Sequence, residues 1–256
     1  MRILAIGDIT DSQTADYVAS VLWDVRRKNG IDFAVVNAEN ASFISGASPE
    51  QAEKLLLGGA DVITGGNHTM QVKSYHEYLE NSKRAIRPVN YPPNVPGAGY
   101  TVLDCLGYRV LVINAMGRIG IEPALDNPFV AVERVLTRES GKYDFAILDF
   151  HAEATGEKNA MPHIFDGRIS VIFGTHTHVQ TADERIFPKG TAYITDIGMC
   201  GHSGGILGID AGCIVSRMLT SLPAKYVEAQ GKIEAEGVIF ELDENFRGKK
   251  IERIKF

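Results

Sequence analysis

Two histidines one residue apart, His176 and His178, follow the run Ser170-Val171-Ile172-Phe173-Gly174-Thr175. The apolar, β-branched run reads as a short buried strand ended by glycine. Alternate residues of an extended chain point the same way, so both imidazoles can face one pocket. Neutral imidazole is the commonest metal ligand at physiological pH. Taken alone, such a pair reads as part of a surface loop. Four other strand ends change that reading. Asp8 follows Arg2–Gly7, Glu39-Asn40 follows Asp32–Val36, Asn67-His68 follows Asp61–Thr64 through Gly65-Gly66, and His151 follows Phe145–Phe150. Each residue offers oxygen or nitrogen, and carboxyl ends of strands in α/β sheets form the ligand crevice. Singly, Asp8 or Asn67 reads as a turn or cap residue. Together, Asp8, Glu39, Asn40, Asn67, His151, His176 and His178 exceed the four ligands of one zinc. With one shared carboxylate they make two sets of four. Two ions ~3.5–4 Å apart are the hydrolytic clamp of phosphatases and nucleases. Mixed carboxylate, amide and imidazole donors without a thiolate suit iron or manganese.

The elements that must position these residues are legible as alternating strands and helices. Apolar spacing predicts helices over Ala15–Lys28, closed by Asn29-Gly30, and over Pro49–Leu57, opened by Pro49. Val72–Leu79 reads as a helical turn or two, and Pro88–Gly99, rich in proline and glycine, as a loop. Tyr100–Cys105 and Arg109–Asn114 read as a hairpin, and Asn127–Arg138 as a helix with Pro128 at its start. Glu153–Asn159 is charged and reads as a loop over the site. Gly190–Thr195 is a further strand, and Lys232–Ile254 closes the chain as a hairpin. The alternation predicts an α/β fold, a four-layer α-β-β-α sandwich of two mixed sheets with helices outside. No repeat or linker divides residues 1–256, so one domain is expected.

Composition removes several classes. The chain has 256 residues, 45% hydrophobic and 23% charged, with a formal net charge of −6. That balance excludes a broad basic nucleic-acid surface, where phosphate neutralisation supplies most of the affinity. No run approaches the ~20 apolar residues of a membrane helix, and the apolar start is too short for a signal peptide. Cys105, Cys200 and Cys213 are sparse and odd in number, which fits reduced thiols in a cytoplasmic protein. The sequence leaves assembly into a homo-oligomer open.

The order Asp8, Glu39-Asn40, Gly66-Asn67-His68, His151 and Gly174-Thr175-His176-Thr177-His178 resembles the calcineurin-type metallophosphoesterase superfamily. Asn37–Ala41, Asp149–Thr155 and Asp196–Gly201 resemble its YmdB-type bacterial branch of cyclic-nucleotide phosphodiesterases, and the likeness runs nearly the whole length. Thr10 stands where the superfamily usually has histidine, and Glu39-Asn40 where it usually has aspartate; the branch shares both substitutions. The resemblance implies one ion on Asp8, Glu39, Asn40 and His178, and another on Glu39, Asn67, His151 and His176, with Glu39 as the bridge. It also implies a hydroxide held between the ions as nucleophile, and His68 as general acid for the leaving oxygen. The implied substrates are phosphodiesters, 2′,3′- or 3′,5′-cyclic nucleotides.

Two other classes share these ligands. A metal-bearing, nucleotide-binding regulator with little turnover has no need of a proton donor, so His68 speaks for catalysis. A phosphomonoesterase or protein phosphatase handles a dianion and often adds arginine beside the metals. Here Ala41-Ser42 and Thr69-Met70-Gln71 follow the two motifs instead. Arg118 and Lys158 are the basic residues a loop can carry to the site, though Arg118 also reads as an ordinary surface arginine. His76, His163 and His202 read as solvated or structural.

Overall fold

The computed structural model describes residues 1–43 and 45–256; Ile44, inside the loop expected before Pro49, lies outside them. The first sheet runs β2 (Asp8–Ile9), β11 (Met199–His202), β14 (Ile233–Leu242), β1 (Arg2–Ile6), β3 (Phe33–Asn37) and β4 (Val62–Thr64), with β15 (Gly248–Lys255) also paired to β14. The second runs β5 (Tyr100–Cys105), β6 (Tyr108–Met116), β7 (Phe145–His151), β8 (Val171–Thr175), β10 (Ala192–Ile194) and β9 (Arg185–Ile186). The short pair β12 (Gly205–Ile206) and β13 (Ile209–Asp210) stands apart. β1, β3 and β4 are parallel, as are β6, β7, β8 and β10; both expected hairpins, β5–β6 and β14–β15, are antiparallel. Both sheets are therefore mixed.

The central strands are apolar on both faces because each face is covered. Ile3 and Ala5 of β1 and Phe33 and Val35 of β3 pack in one cluster with Val110 and Val112 of β6, Phe145 and Ile147 of β7, and Val171 and Phe173 of β8. That cluster is the seam between the sheets. The alternate residues face outward. Leu4, Ile6, Ala34 and Val36 pack under α1 (Ser12–Asn29), α2 (Pro49–Gly58) and α3 (Lys73–Asn81). Leu111, Ile113, Ala146, Leu148 and Ile172 pack under α4 (Pro128–Arg138) and α5 (Thr155–Phe165). The expected four layers follow directly from this period-two alternation.

The same alternation carries the inter-sheet face past its apolar residues to polar ones. Continuing two residues at a time, β3 ends on Asn37, β4 on Thr64, β6 reaches Asn114, β7 reaches Asp149 then His151, and β8 ends on Thr175. All are buried. They form a polar layer above the apolar seam, beneath the loops that follow the strands.

Two elements depart from the sequence reading. Glu153–Asn159 is expected as a loop, but α5 begins at Thr155 and takes up most of that stretch. Glu157, Lys158, Met161, Pro162 and Phe165 form its buried face. Two charged residues and an internal proline on the inward side hid the helical period. Lys158 is accordingly no mobile loop cation. α6 (Ala211–Thr220), with no buried residue among its ten, has no counterpart in the reading. No helix among the described residues is long and apolar enough to cross a membrane.

Candidate metal centre

Six of the seven candidate residues come from the loops or last residues at the carboxyl ends of β3, β4, β7 and β8, Asp8 opens β2 just past the end of β1, and the structure brings all seven into one contact group. Glu39 lies at its middle. Its Oε1 accepts from Asn40 Nδ2 at 2.8 Å and lies 3.4 Å from His151 Nε2, while its Oε2 accepts the His68 backbone N–H at 2.9 Å. On one side Asn40 Nδ2 lies 3.4 Å from His178 Nε2, which is 4.0 Å from Asp8 Oδ2. On the other, His151 Nε2 lies 3.0 Å from Asn67 Oδ1 and 3.1 Å from His176 Nδ1. Contacts also cross between the two sides: His151 Nδ1 lies 3.7 Å from Asp8 Oδ1, and Asp8 Oδ2 accepts the His176 backbone N–H at 2.9 Å.

The donors fit cations. One ligand atom each from Glu39, His151 and His176 lies within 4.8 Å of the others. Asp8 Oδ1, Asn40 Oδ1 and His178 Nδ1 are buried with no hydrogen-bond partner among the described residues. An unsatisfied buried polar atom costs roughly 1–3 kcal/mol, and carboxylate oxygen, amide oxygen and imidazole nitrogen together suit divalent metals. Gly66 allows the approach: a Cβ there would lie 2.3 Å from His151 Nε2.

The ring orientations are set from below and behind. Thr175 Oγ1 donates to Asp149 Oδ1 at 2.8 Å, so its oxygen accepts from His151 Nδ1 at 2.9 Å. That hydrogen bond leaves the Nε2 lone pair toward the other donors, the arrangement in which a second hydrogen bond fixes a metal-ligating tautomer. Asp149 is fully buried; Thr64 Oγ1 and Asn37 Nδ2 also donate to it, at 2.5 and 2.9 Å. Glu153 Oε2 lies 3.1 Å from His176 Nε2, which leaves Nδ1 of that ring toward His151. Sequence reasoning missed all five supporting residues, Asn37, Thr64, Asp149, Glu153 and Thr175, though period-two alternation from Phe145 through Ile147 to Asp149 and His151 carried the signal for Asp149.

Electrostatics separate the histidines. Burial opposes charge on His151, but the Glu39, Asp8 and Asp149 carboxylates overcome it and raise its pKa to about 9. His176 is pushed down to about 3 by burial and by His151 beside it, and burial lowers His178. Burial also opposes the Glu39 carboxylate, yet His151 and His68 hold it at about 2. Asp8 is raised by burial, against His151, with Glu39 and Asp196 adding repulsion.

His176 and His178 both have left-handed backbones, φ 95° and 62°. For residues with a Cβ this costs roughly 1–2 kcal/mol each, and such strain persists where surrounding structure over-determines it. His68 sits at the rim, half-buried, with Nδ1 lacking a partner among the described residues. Arg118 is exposed; its backbone N–H and that of Ile119 donate to the buried Glu157 carboxylate. Lys158 does not reach the site: its Nζ is ion-paired with Asp196 Oδ2 at 2.8 Å, both side chains fully buried. His76 bonds the Met70 carbonyl and His202 the Gly231 carbonyl; both fit structural roles.

A family model described as YmdB-like protein matches residues 4–254. A Bacillus subtilis (strain 168) protein named 2′,3′-cyclic-nucleotide 2′-phosphodiesterase is 42% identical over 255 residues, covering 99% of this chain and 96% of its own. The crystal structure of a hypothetical protein from Thermus thermophilus superposes with TM-score 0.91 at 38% identity, covering 100% of this chain and 99% of that one. That of a novel phosphatase from Mycoplasma pneumoniae gives 0.90 at 32% identity, covering 100% and 93%.

Proposed function

Since the chain belongs to the YmdB-like protein family, we propose that it is a dinuclear-metal phosphodiesterase of cyclic nucleotides. The Bacillus relative's name favours the 2′,3′-cyclic class and cleavage at the 2′ oxygen over the 3′,5′ class. The observation that carries the reading is the pair of donor groups in contact through Glu39, together with buried Asp8 Oδ1, Asn40 Oδ1 and His178 Nδ1 atoms that lack a hydrogen-bond partner among the described residues. Asp8, Glu39, Asn40 and His178 would hold one ion, and Glu39, Asn67, His151 and His176 the other, iron or manganese in each case. Bound there, two divalent ions supply a deprotonated water nucleophile at neutral pH and positive charge for the phosphoryl oxygens.

The chain's own residues do the rest. Glu39 Oε2 holds the His68 backbone, which keeps this residue beside the centre. His68 donates the proton that the leaving 2′ oxygen needs, since an alkoxide is a poor leaving group. His151 and His176 are held in single orientations by Thr175 and Glu153. Lys158 is committed to Asp196, so it adds no charge for a phosphate dianion. That favours a singly charged diester over a monoester. Residues 1–256 would act as one domain, because the closing strands β14 and β15 return to the first sheet beside β1. Cys105, Cys200 and Cys213 are all free thiols, which supports action in the cytoplasm.

The test is kcat/KM for a 2′,3′-cyclic nucleotide, bis-nitrophenyl phosphate and nitrophenyl phosphate at one pH and metal content. The two diesters should be turned over faster. A faster monoester would overturn the reading in favour of a phosphatase. Tight nucleotide binding without turnover of any of the three would favour a regulator.

A further inference from the structure

We propose that the buried Lys158–Asp196 pair is a positioning clamp that holds the His176-Thr177-His178 turn in its metal-binding shape. This rests on the metal-centre reading above. The turn carries two left-handed residues with a third between them. That middle residue, Thr177, is where the clamp closes. Asp196 Oδ2 accepts the Thr177 backbone N–H at 3.1 Å, the Thr177 hydroxyl at 2.6 Å and Lys158 Nζ at 2.8 Å. Lys158 Nζ also reaches Thr177 Oγ1 at 3.3 Å. The other Asp196 oxygen accepts the Gly198 N–H at 2.9 Å, which fixes the carboxylate against the chain leaving β10. Lys158 is anchored independently on α5, whose Met161 and Phe165 pack in the outer core of the second sheet.

Physical chemistry gives this pair a use beyond packing. Two fully buried charges gain little net stability over a well-packed apolar pair of the same volume. What an ionised carboxylate offers, and an apolar residue does not, is one oxygen that takes three donors at once. Those donors come from the turn and from α5, so the oxygen fixes the turn relative to a rigid helix. Released from it, His176 and His178 are free to relax toward ordinary backbone angles and rotate their rings away from the two proposed metal positions. Outer partners of this kind typically control metal affinity by 10–100-fold.

The experiment compares wild type, Thr177→Val, Thr177→Ser and the double variant Lys158→Met/Asp196→Leu, each as the full chain stripped of metal. Mn²⁺ binding is followed by calorimetry, and the thermal midpoint of the metal-free form is recorded. Thr177→Val and the double variant should bind Mn²⁺ ~10–100-fold more weakly; the metal-free midpoint of Thr177→Val should stay close to wild type, whereas the double variant, which leaves the Thr177 and Gly198 N–H groups without their acceptor, should melt lower. Thr177→Ser keeps the hydroxyl and should retain wild-type affinity. The double variant removes both charges together, so it avoids leaving one charge buried alone. Unchanged Mn²⁺ affinity in Thr177→Val or the double variant overturns the clamp. A lowered midpoint with unchanged affinity does the same and makes the pair part of the scaffold only. A wild type that binds no Mn²⁺ overturns the metal-centre reading itself.

Discussion

Gly66→Ala tests how closely the third strand's loop is fitted to the centre. An added Cβ would lie 2.3 Å from both Cδ2 and Nε2 of His151, and 2.5 Å from Cε1. Non-bonded carbon contacts settle near ~3.5 Å, so ring and backbone must separate by about 1.2 Å. The ring has little room to move: it is fully buried, and a swing breaks the 2.9 Å bond from Nδ1 to Thr175 Oγ1. Metal–ligand distances tolerate only ~0.2 Å. Overpacking of this kind costs roughly 1–3 kcal/mol. In a chain of this length that lowers the thermal midpoint by roughly 2–12 °C. The expected variant is folded, holds about one metal ion in place of two, and loses at least ~10² in kcat/KM, the scale of a 1 Å misplacement. Metal content by elemental analysis, thermal melts and diester kinetics read these together. Gly156→Ala in α5, where an added Cβ meets nothing within 4 Å, is the control and should match wild type. Two retained ions with kcat/KM within about threefold of wild type would show that Gly66 does not constrain His151 and refute the reasoning.

His68→Ala should keep both metals and lose ~10²–10⁴ in rate on a cyclic nucleotide, with a smaller loss on bis-nitrophenyl phosphate, whose leaving group needs little protonation. An equal loss on both would assign His68 to positioning. Glu39→Gln should empty both metal positions together, whereas Asn67→Ala should empty chiefly the one beside His151; full occupancy in Glu39→Gln rules out the bridge. The metal-free protein should lose thermal stability between pH 6.5 and about 9. Its His151 pKa is raised from 6.5 to about 9, so the stabilisation is complete below the unfolded value and disappears as pH climbs through the folded one. Loading with metal removes that proton and should flatten the profile; a metal-free midpoint that climbs over this range contradicts the charge assignment.

Much of this is readable in the chain. The seven candidate ligands each follow a compact apolar run, and runs such as Phe145–Leu148 and Val171–Phe173 are unambiguous because both faces are covered. What the sequence conceals depends on partners far away in the chain. Lys158 reads as mobile because lysine is rarely buried, and only Asp196, thirty-eight residues on, makes its burial tolerable. Glu157 lies in the charged stretch read as a loop over the site, yet its carboxylate takes two backbone N–H groups from the loop after β6. Glu153 reads as a loop residue over the site, but its bond to His176 depends on how two strand ends meet. α6 escapes notice because its apolar residues, among them Met218 and Leu219, face outward and give no inward stripe to find.

The polar layer above the inter-sheet seam sets an order in time. Asp149, from the second sheet, takes donors from Asn37 and Thr64 of the first, so the floor of the centre exists only after the sheets have docked. The proposed donors are strung along the chain from Asp8 to His178, and β14, the partner strand beside β1, arrives only at residues 233–242. A cation would meet the complete set of proposed donors in their final places only once residues through Leu242 have been made. The proposed centre would therefore be assembled late, after both sheets have closed on each other.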